Sequence, residues 1–245
     1  MPVHPALRFR SAIASASVCL GTSTENGQSD MRKCRVNGCN NWAKGFSRLC
    51  AKHKARKRRH GDPDQPTITK TDLKPFVAKV QTHITKNPAS TVWHVCDKRW
   101  DAMVQVAESC RAETYFRHER QAAMEILRLN SAVRGRDIAI TTVAMYLLQY
   151  ERPHLFRSER AFRSQLVRRV RTLNPSNFQT TVGAADGRER RVLNELPPKA
   201  VTVLAAWLVE LFGPVGVKLA QAEQREAEEK RKAQAELAAA MREIS

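Results

Sequence analysis

The chain has 245 residues, 42% apolar and 27% charged, and its 42 Lys/Arg against 24 Asp/Glu leave a net charge of +18. That length holds one core-bearing domain with a small appendage, and a mean hydropathy of −0.48 reads as a soluble chain with extended polar parts. A pI near 10.2 means self-repulsion in a compact state, which a polyanion relieves: nucleic acid first, an anionic membrane surface second.

Residues 1–30 carry Arg8 and Arg10 before SAIASASVCL, a stretch too polar and short for a signal sequence. They read as a disordered leader, with Met31 a candidate true start. Of six cysteines, Cys34, Cys39 and Cys50 fall within seventeen residues and close on His53, whereas Cys19, Cys96 and Cys110 are scattered. Clustering of this kind argues for thiolate ligation in a reducing compartment and against a disulfide framework.

The pattern at 31–63 is C-x4-C-x10-C-x2-H. Zinc takes four thiolate or imidazole ligands in a tetrahedron, and three cysteines with one histidine fill it without an open position, so the site is structural. Asn37-Gly38 supplies the turn that brings Cys34 and Cys39 to one ion. Cys50 and His53, three apart, share a face of a helix's first turn. A knuckle followed by a ligand-bearing helix predicts a treble-clef-like module. It is too short to bury a core, so bound metal would supply its folding free energy.

Gly61-Asp62-Pro63 stops the basic helix. Residues 64–92 read as a polar linker with a short helix, capped by Thr71 or Asp72 and ending near Asn87-Pro88. From Trp93 the spacing of Trp93, Cys96, Trp100, Met103, Ala107 and Cys110 makes one apolar helical stripe. Phe116, Ala123, Ile126 and Leu127 continue it after a phase shift near Glu113, and Gly135 ends the element. Residues 136–150, apolar on most sides, predict the central buried helix, closed by Arg152-Pro153.

Ser158 caps the next helix, with Phe162, Leu166, Val170 and Leu173 in a narrow arc and Arg160, Arg163, Arg168 and Arg171 opposite. Asp186-Gly187 between NFQTTV and RRVLNEL predicts a β-hairpin. Pro197-Pro198 opens a buried helix over 198–212, with Gly213-Pro214 breaking it. That break leaves the apolar run 200–217 about half the ~20 residues a membrane span needs. Residues 218–245 read as a charged, solvated helix with Glu226–Lys230 and Glu228–Lys232 pairs, a candidate surface for self-association or a protein partner. The expected fold is therefore mainly α: a zinc knuckle, a helical domain at 93–217 with one hairpin, and the charged C-terminal helix.

The runs CRVNGC, RLCAKH and RKRRHGDP resemble a short zinc motif of bacteriophage and mobile-element proteins. The ligands of that motif match Cys34, Cys39, Cys50 and His53, and its ending matches Arg59, His60, Gly61, Asp62 and Pro63. Arg48 and Lys54 depart from its usual residues without touching a ligand. The resemblance covers about an eighth of the chain. It implies company with HNH-type endonucleases or DNA-binding domains, and a cytoplasmic, nucleoid-associated place in a bacterial or phage-infected cell.

An HNH enzyme needs a base histidine beside a metal-ligating one. His4, His83, His94, His118 and His154 are isolated, and the sequence holds no phosphate-cradling Gly-rich loop. No catalytic residue is assigned. Glu108, Glu113, Glu119 and Glu125 are spread along one expected helix without a facing partner, the basis of an alternative reading as a divergent nuclease or recombination factor. A second alternative is an adaptor that works through its C-terminal helix and is only tethered by the basic motif.

Binding is the better-supported expectation. From Arg32 to Arg59 there are eleven Lys/Arg and no Asp or Glu. Lys52, Lys54, Arg56, Lys57, Arg58 and Arg59 crowd the metal-fixed helix, where they would meet phosphates. Arg56 and Arg59 share a side that would suit guanine edges in a major groove. Arg163, Arg168 and Arg171 predict a second phosphate-contacting surface. Aromatics, 6% of the chain, do not interleave with the basic runs, which favours duplex DNA over stacking on single strands.

Overall fold

A computed structural model describes residues 32–110, 115–182 and 187–244; the expected leader, Cys19, Glu113 and Asp186 lie outside the described residues. Two short antiparallel strands, β1 (Arg32–Lys33) and β2 (Trp42–Ala43), precede α1 (Ala51–His60). Then come α2 (Lys70–Lys86), α3 (Val92–Ser109), α4 (Arg117–Ala132), α5 (Gly135–Glu151) and α6 (Glu159–Arg171). A second hairpin, β3 (Phe178–Val182) with β4 (Glu189–Leu193), leads into α7 (Pro198–Ile244). The fold is mainly α, with the hairpin where Asp186-Gly187 placed it; Phe178 faces Leu193 and Val182 faces Glu189.

The centre is α5. Ile138 to Leu148 are buried without interruption, as the near-absence of polar positions in that run dictates. Around it pack α2, α3, α6 and α7. On α3, Trp93, Cys96, Trp100, Ala107 and the following Cys110 are buried, and Met103 packs partly against the core. Gly135 does not end a long helix; it opens α5, because a Cβ there would fall 2.4 Å from the Trp100 ring. The stripe also does not run on through Phe116. That side chain is 71% exposed and stands at the N-cap of α4, its amide donating to the Glu119 carboxylate.

The segment expected as a linker contributes a 17-residue helix to the core. Thr69, not Thr71 or Asp72, is the N-cap of α2. Its hydroxyl accepts from the Asp72 amide at 3.2 Å while the Asp72 carboxylate accepts from the Thr69 amide at 2.7 Å. Leu73, Phe76 and Val80, at helical spacing, are buried against α5. The polar residues between them masked the stripe.

The break expected at Gly213-Pro214 does not occur: α7 runs unbroken from Pro198 to Ile244. Between Ala200 and Ala220 its exposed positions are Thr202, Ala206, Glu210, Pro214 and Lys218, an every-fourth-residue stripe facing solvent. Pro214 removes one intrahelical donor, and the Glu210 carbonyl it would have served lies on this wet stripe, where water replaces the bond. On the opposite side Gly213 and Gly216 lie against Tyr146, and a Cβ at Gly216 would come within 2.8 Å of that side chain. Burial of Leu204, Leu208 and Phe212 then outweighs the weak helix propensity of the pair. With the helix unbroken, its length no longer excludes a span. Among the described helices α7 is long and apolar enough to cross a bilayer, and 44% of its apolar window is buried inside the protein.

Candidate metal centre and basic surface

Residues 32–60 lack an apolar core of their own, and the structure shows what replaces it. Gly38, with φ 74°, turns the chain between Cys34 and Cys39, and the Cys39 amide closes the turn on the Val36 carbonyl at 3.1 Å. Cys50 is the N-cap of α1 and His53 lies in its first turn. These elements bring all four ligand atoms within 4.8 Å of one another. The sulfurs of Cys34 and Cys50 each lie 3.3 Å from Nδ1 of His53, and those of Cys39 and Cys50 are 3.9 Å apart. A tetrahedral ion with thiolates at ~2.3 Å and imidazole at ~2.0 Å spaces its ligand atoms about 3.5–3.8 Å apart. The three separations above are close to that spacing, and the cluster can hold a metal ion.

Its electrostatics ask for one. Burial pushes the Cys34 thiol up, but hydrogen bonds from the Cys50 and Val36 backbones and from His53 overcome this and hold it at about 6. At Cys39 the Asn41 backbone lowers the pKa, yet burial and the Cys34 and Cys50 sulfurs raise it above the usual value. Thiolates this close oppose one another's ionisation, and a bound dication removes the conflict.

With ten residues and only His60 buried, α1 is too short and too polar to persist alone. The ligand cluster fixes its first turn, and the sequence His60-Gly61 fixes its last. The Gln165 side-chain amide donates to Nδ1 of His60 at 2.9 Å and accepts the Ile68 amide at 3.1 Å. Gly61, with φ 84°, presses onto α6: a Cβ there would sit 2.6 Å from the Arg160 carbonyl. The histidine and glycine of the motif's ending therefore dock the module onto the helical domain.

Burial, then the charges of Arg168, Arg56 and Arg59, lower the His60 pKa to about 4. The unfolded chain therefore binds a proton, from pH 6.5 downward, that the folded chain refuses. Stability is lost as pH falls from about 6.5 to 4, by about 3 kcal/mol. In urea titrations, the stability advantage of the wild type over His60→Gln is expected to shrink across that window. A constant gap would show that His60 does not titrate this way.

The basic residues separate into free and engaged groups. Lys52, Lys54 and Lys57 are exposed and carry no ion pair among the described residues. Arg56 donates to the Gln65 carbonyl at 3.0 Å, and Arg58 and Arg59 hold the Glu195 carboxylate at 2.8 and 2.5 Å. The shared guanine-reading side expected of Arg56 and Arg59 is thus occupied by protein partners. Arg163 pairs with Glu159 at 2.8 Å, and Arg168 is half-buried.

Arg171 does not belong to a phosphate-contacting surface: it is 5% exposed. Its Nε donates to Glu125 at 2.8 Å and its Nη1 to the Asn194 carbonyl at 2.7 Å. Of the four glutamates of the enzyme alternative, Glu113 lies outside the described residues and the other three do not gather. Glu108 is exposed on α3, Glu119 caps α4 and Glu125 is buried on Arg171.

Sequence reasoning passed over Trp42 and Phe46. Trp42, opposite Lys33, is 52% exposed, and Phe46 is fully exposed two residues after Lys44. Their signal was the absence of any apolar periodicity around them.

Compared with protein-family models, with curated proteins and with solved structures, the chain matches none.

Proposed function

We propose that the chain is a zinc-stabilised nucleic-acid-binding protein with duplex DNA as its target, regulatory or accessory in a phage or mobile-element setting. One observation carries the reading. The ligand cluster fixes a helix whose exposed Lys52, Lys54 and Lys57 carry no ion pair among the described residues, within a segment, 32–59, that holds no acid. Zinc is the ion that three thiolates and one imidazole in a closed tetrahedron favour. The solvent stripe on α7 supports a cytoplasmic, nucleoid-associated protein over a membrane one. Leu237 and Met241, both exposed and one turn apart, support self-association or a protein partner through the end of α7.

The test is binding of the zinc-loaded chain to a labelled duplex by fluorescence anisotropy across a salt series. A fall of log K with log salt of slope about −4 is expected, shallower by about 2 to 3 in the Lys52→Ala/Lys54→Ala/Lys57→Ala variant. Binding indifferent to salt would refute the reading.

A second reading, contact with unpaired bases, is favoured by exposed Trp42 and Phe46, since aromatic faces stack on bases irrespective of sequence. Trp93 and Trp100 are buried. Trp207 is half-buried, so quenching by single strands in preference to duplex that is lost in Trp42→Leu would favour it.

A further inference from the structure

We propose that the cleft where α1, α6 and the start of α7 meet is a phosphodiester-binding groove, and that Glu195 shuts one end of it until a phosphate displaces the carboxylate. This rests on the nucleic-acid reading above and adds the path and the competitor.

The cleft has a volume of about 450 Å³ and is lined by Lys57, Arg58, Arg160 and Arg163, with Glu159 beside them. A narrower recess of about 140 Å³ continues from Arg58 past Arg59 and Arg168 to Glu195. Arg58, Ser164 and Val201 line both, so the two form one groove. Apart from Arg171, which is held by Glu125, six cations from two helices line the groove with two acids. Arg160 is exposed and carries no ion pair among the described residues. The buried Nε of Arg168 has no hydrogen-bond partner there.

Glu195 presents two oxygens to two guanidiniums, one each to Arg58 and Arg59. A phosphodiester offers the same pair of oxygens and the same single charge, and guanidinium binds either group in a fork. The Arg59 hydrogen bond holds the Glu195 carboxyl below the usual range, so it is ionised near neutrality and competes as an anion. All three side chains are about half exposed, at 55%, 51% and 41%, and ion pairs of this exposure are weak. A polyanion that also meets Lys57 and Arg160 along the groove gains more contacts than the carboxylate offers.

The test uses the full zinc-loaded chain and a labelled duplex. Glu195→Gln is expected to tighten binding about 5-fold with little change in salt slope, because phosphate no longer has to displace a carboxylate from Arg58 and Arg59. Glu108→Gln, an exposed acid on α3, removes the same charge and is expected to change affinity less than about 2-fold. Arg160→Ala with Arg163→Ala is expected to weaken binding about 10-fold and flatten the slope by about two.

Equal behaviour of the Glu195 and Glu108 variants, with wild type still binding, overturns the groove and leaves the wider reading standing. So does inorganic phosphate competing beyond chloride at equal ionic strength while Glu195→Gln leaves duplex affinity unchanged, since the groove then serves a free anion. A wild type that does not bind duplex at all removes both.

Discussion

Cys50→Ser is expected to release the metal, loosen residues 32–56 and weaken duplex binding at least about 10-fold, with the helical domain still folded. The argument begins at the sulfur. Cys50 is 3% exposed, caps α1 and lies within 3.9 Å of two other ligand atoms. A serine hydroxyl does not ionise near neutrality and is a poor partner for a thiolate-preferring ion. Structural zinc supplies about 10–16 kcal/mol to modules of this kind, far more than two residue pairs of hairpin and ten residues of helix can replace. The bundle around α5 has its own core and does not depend on the ion.

Metal analysis of the purified chain is expected to find one equivalent of zinc, absent in Cys50→Ser. The proteolysis of 32–56 is expected to speed up while the thermal transition of the bundle persists. Zinc retained in the variant, with duplex affinity unchanged, would refute the assignment.

Glu125→Ala is expected to cost about 3–5 kcal/mol, read as a drop in the urea midpoint at unchanged slope. The pair it breaks is deep in the protein, with Glu125 and Arg171 side chains 1% and 6% exposed. Oε1 of Glu125 accepts both from Arg171 and, at 2.6 Å, from Asn177, and the Asn194 amide donates to the Asn177 carbonyl at 2.8 Å. One carboxylate therefore joins α4, α6 and the base of the hairpin. Without it a guanidinium stays buried with half its partners. The double variant Glu125→Leu/Arg171→Leu removes both charges and is expected to recover part of the loss. A cost below about 1 kcal/mol for the single variant would mean that water reaches this site.

That pair also marks the limit of what the sequence discloses. The four ligand positions were legible because metal chemistry demands particular side chains at short separations, and all of 34, 39, 50 and 53 fall within twenty residues. The β3–β4 hairpin was legible from its turn residues, and α5 from an apolar run with no polar face. Arg171 was not, since a helical wheel sets it with Arg160 and Arg163 and its carboxylate partner is 46 residues away. The engagement of Arg58 and Arg59 was hidden for the same reason, Glu195 being 136 residues from Arg59. At Pro214 a local breaking signal met a tertiary surface that left its orphaned carbonyl in water. At Thr69 the cap sat two residues before the first candidate, and the apolar stripe after it was too sparse to outweigh the lysines.

The continuity of α7 through Pro214 carries a mechanical meaning. The same rod that lies under α4, α5 and α6 runs on beyond Ala220 for ~36 Å at the helical rise, and Gln221 to Ala238 are exposed except for the half-buried Glu223. It has no joint between its gripped half and its projecting half. A load on the far end, from a second copy or any other body, is carried along one helix to the Tyr146 contact at Gly213 and Gly216.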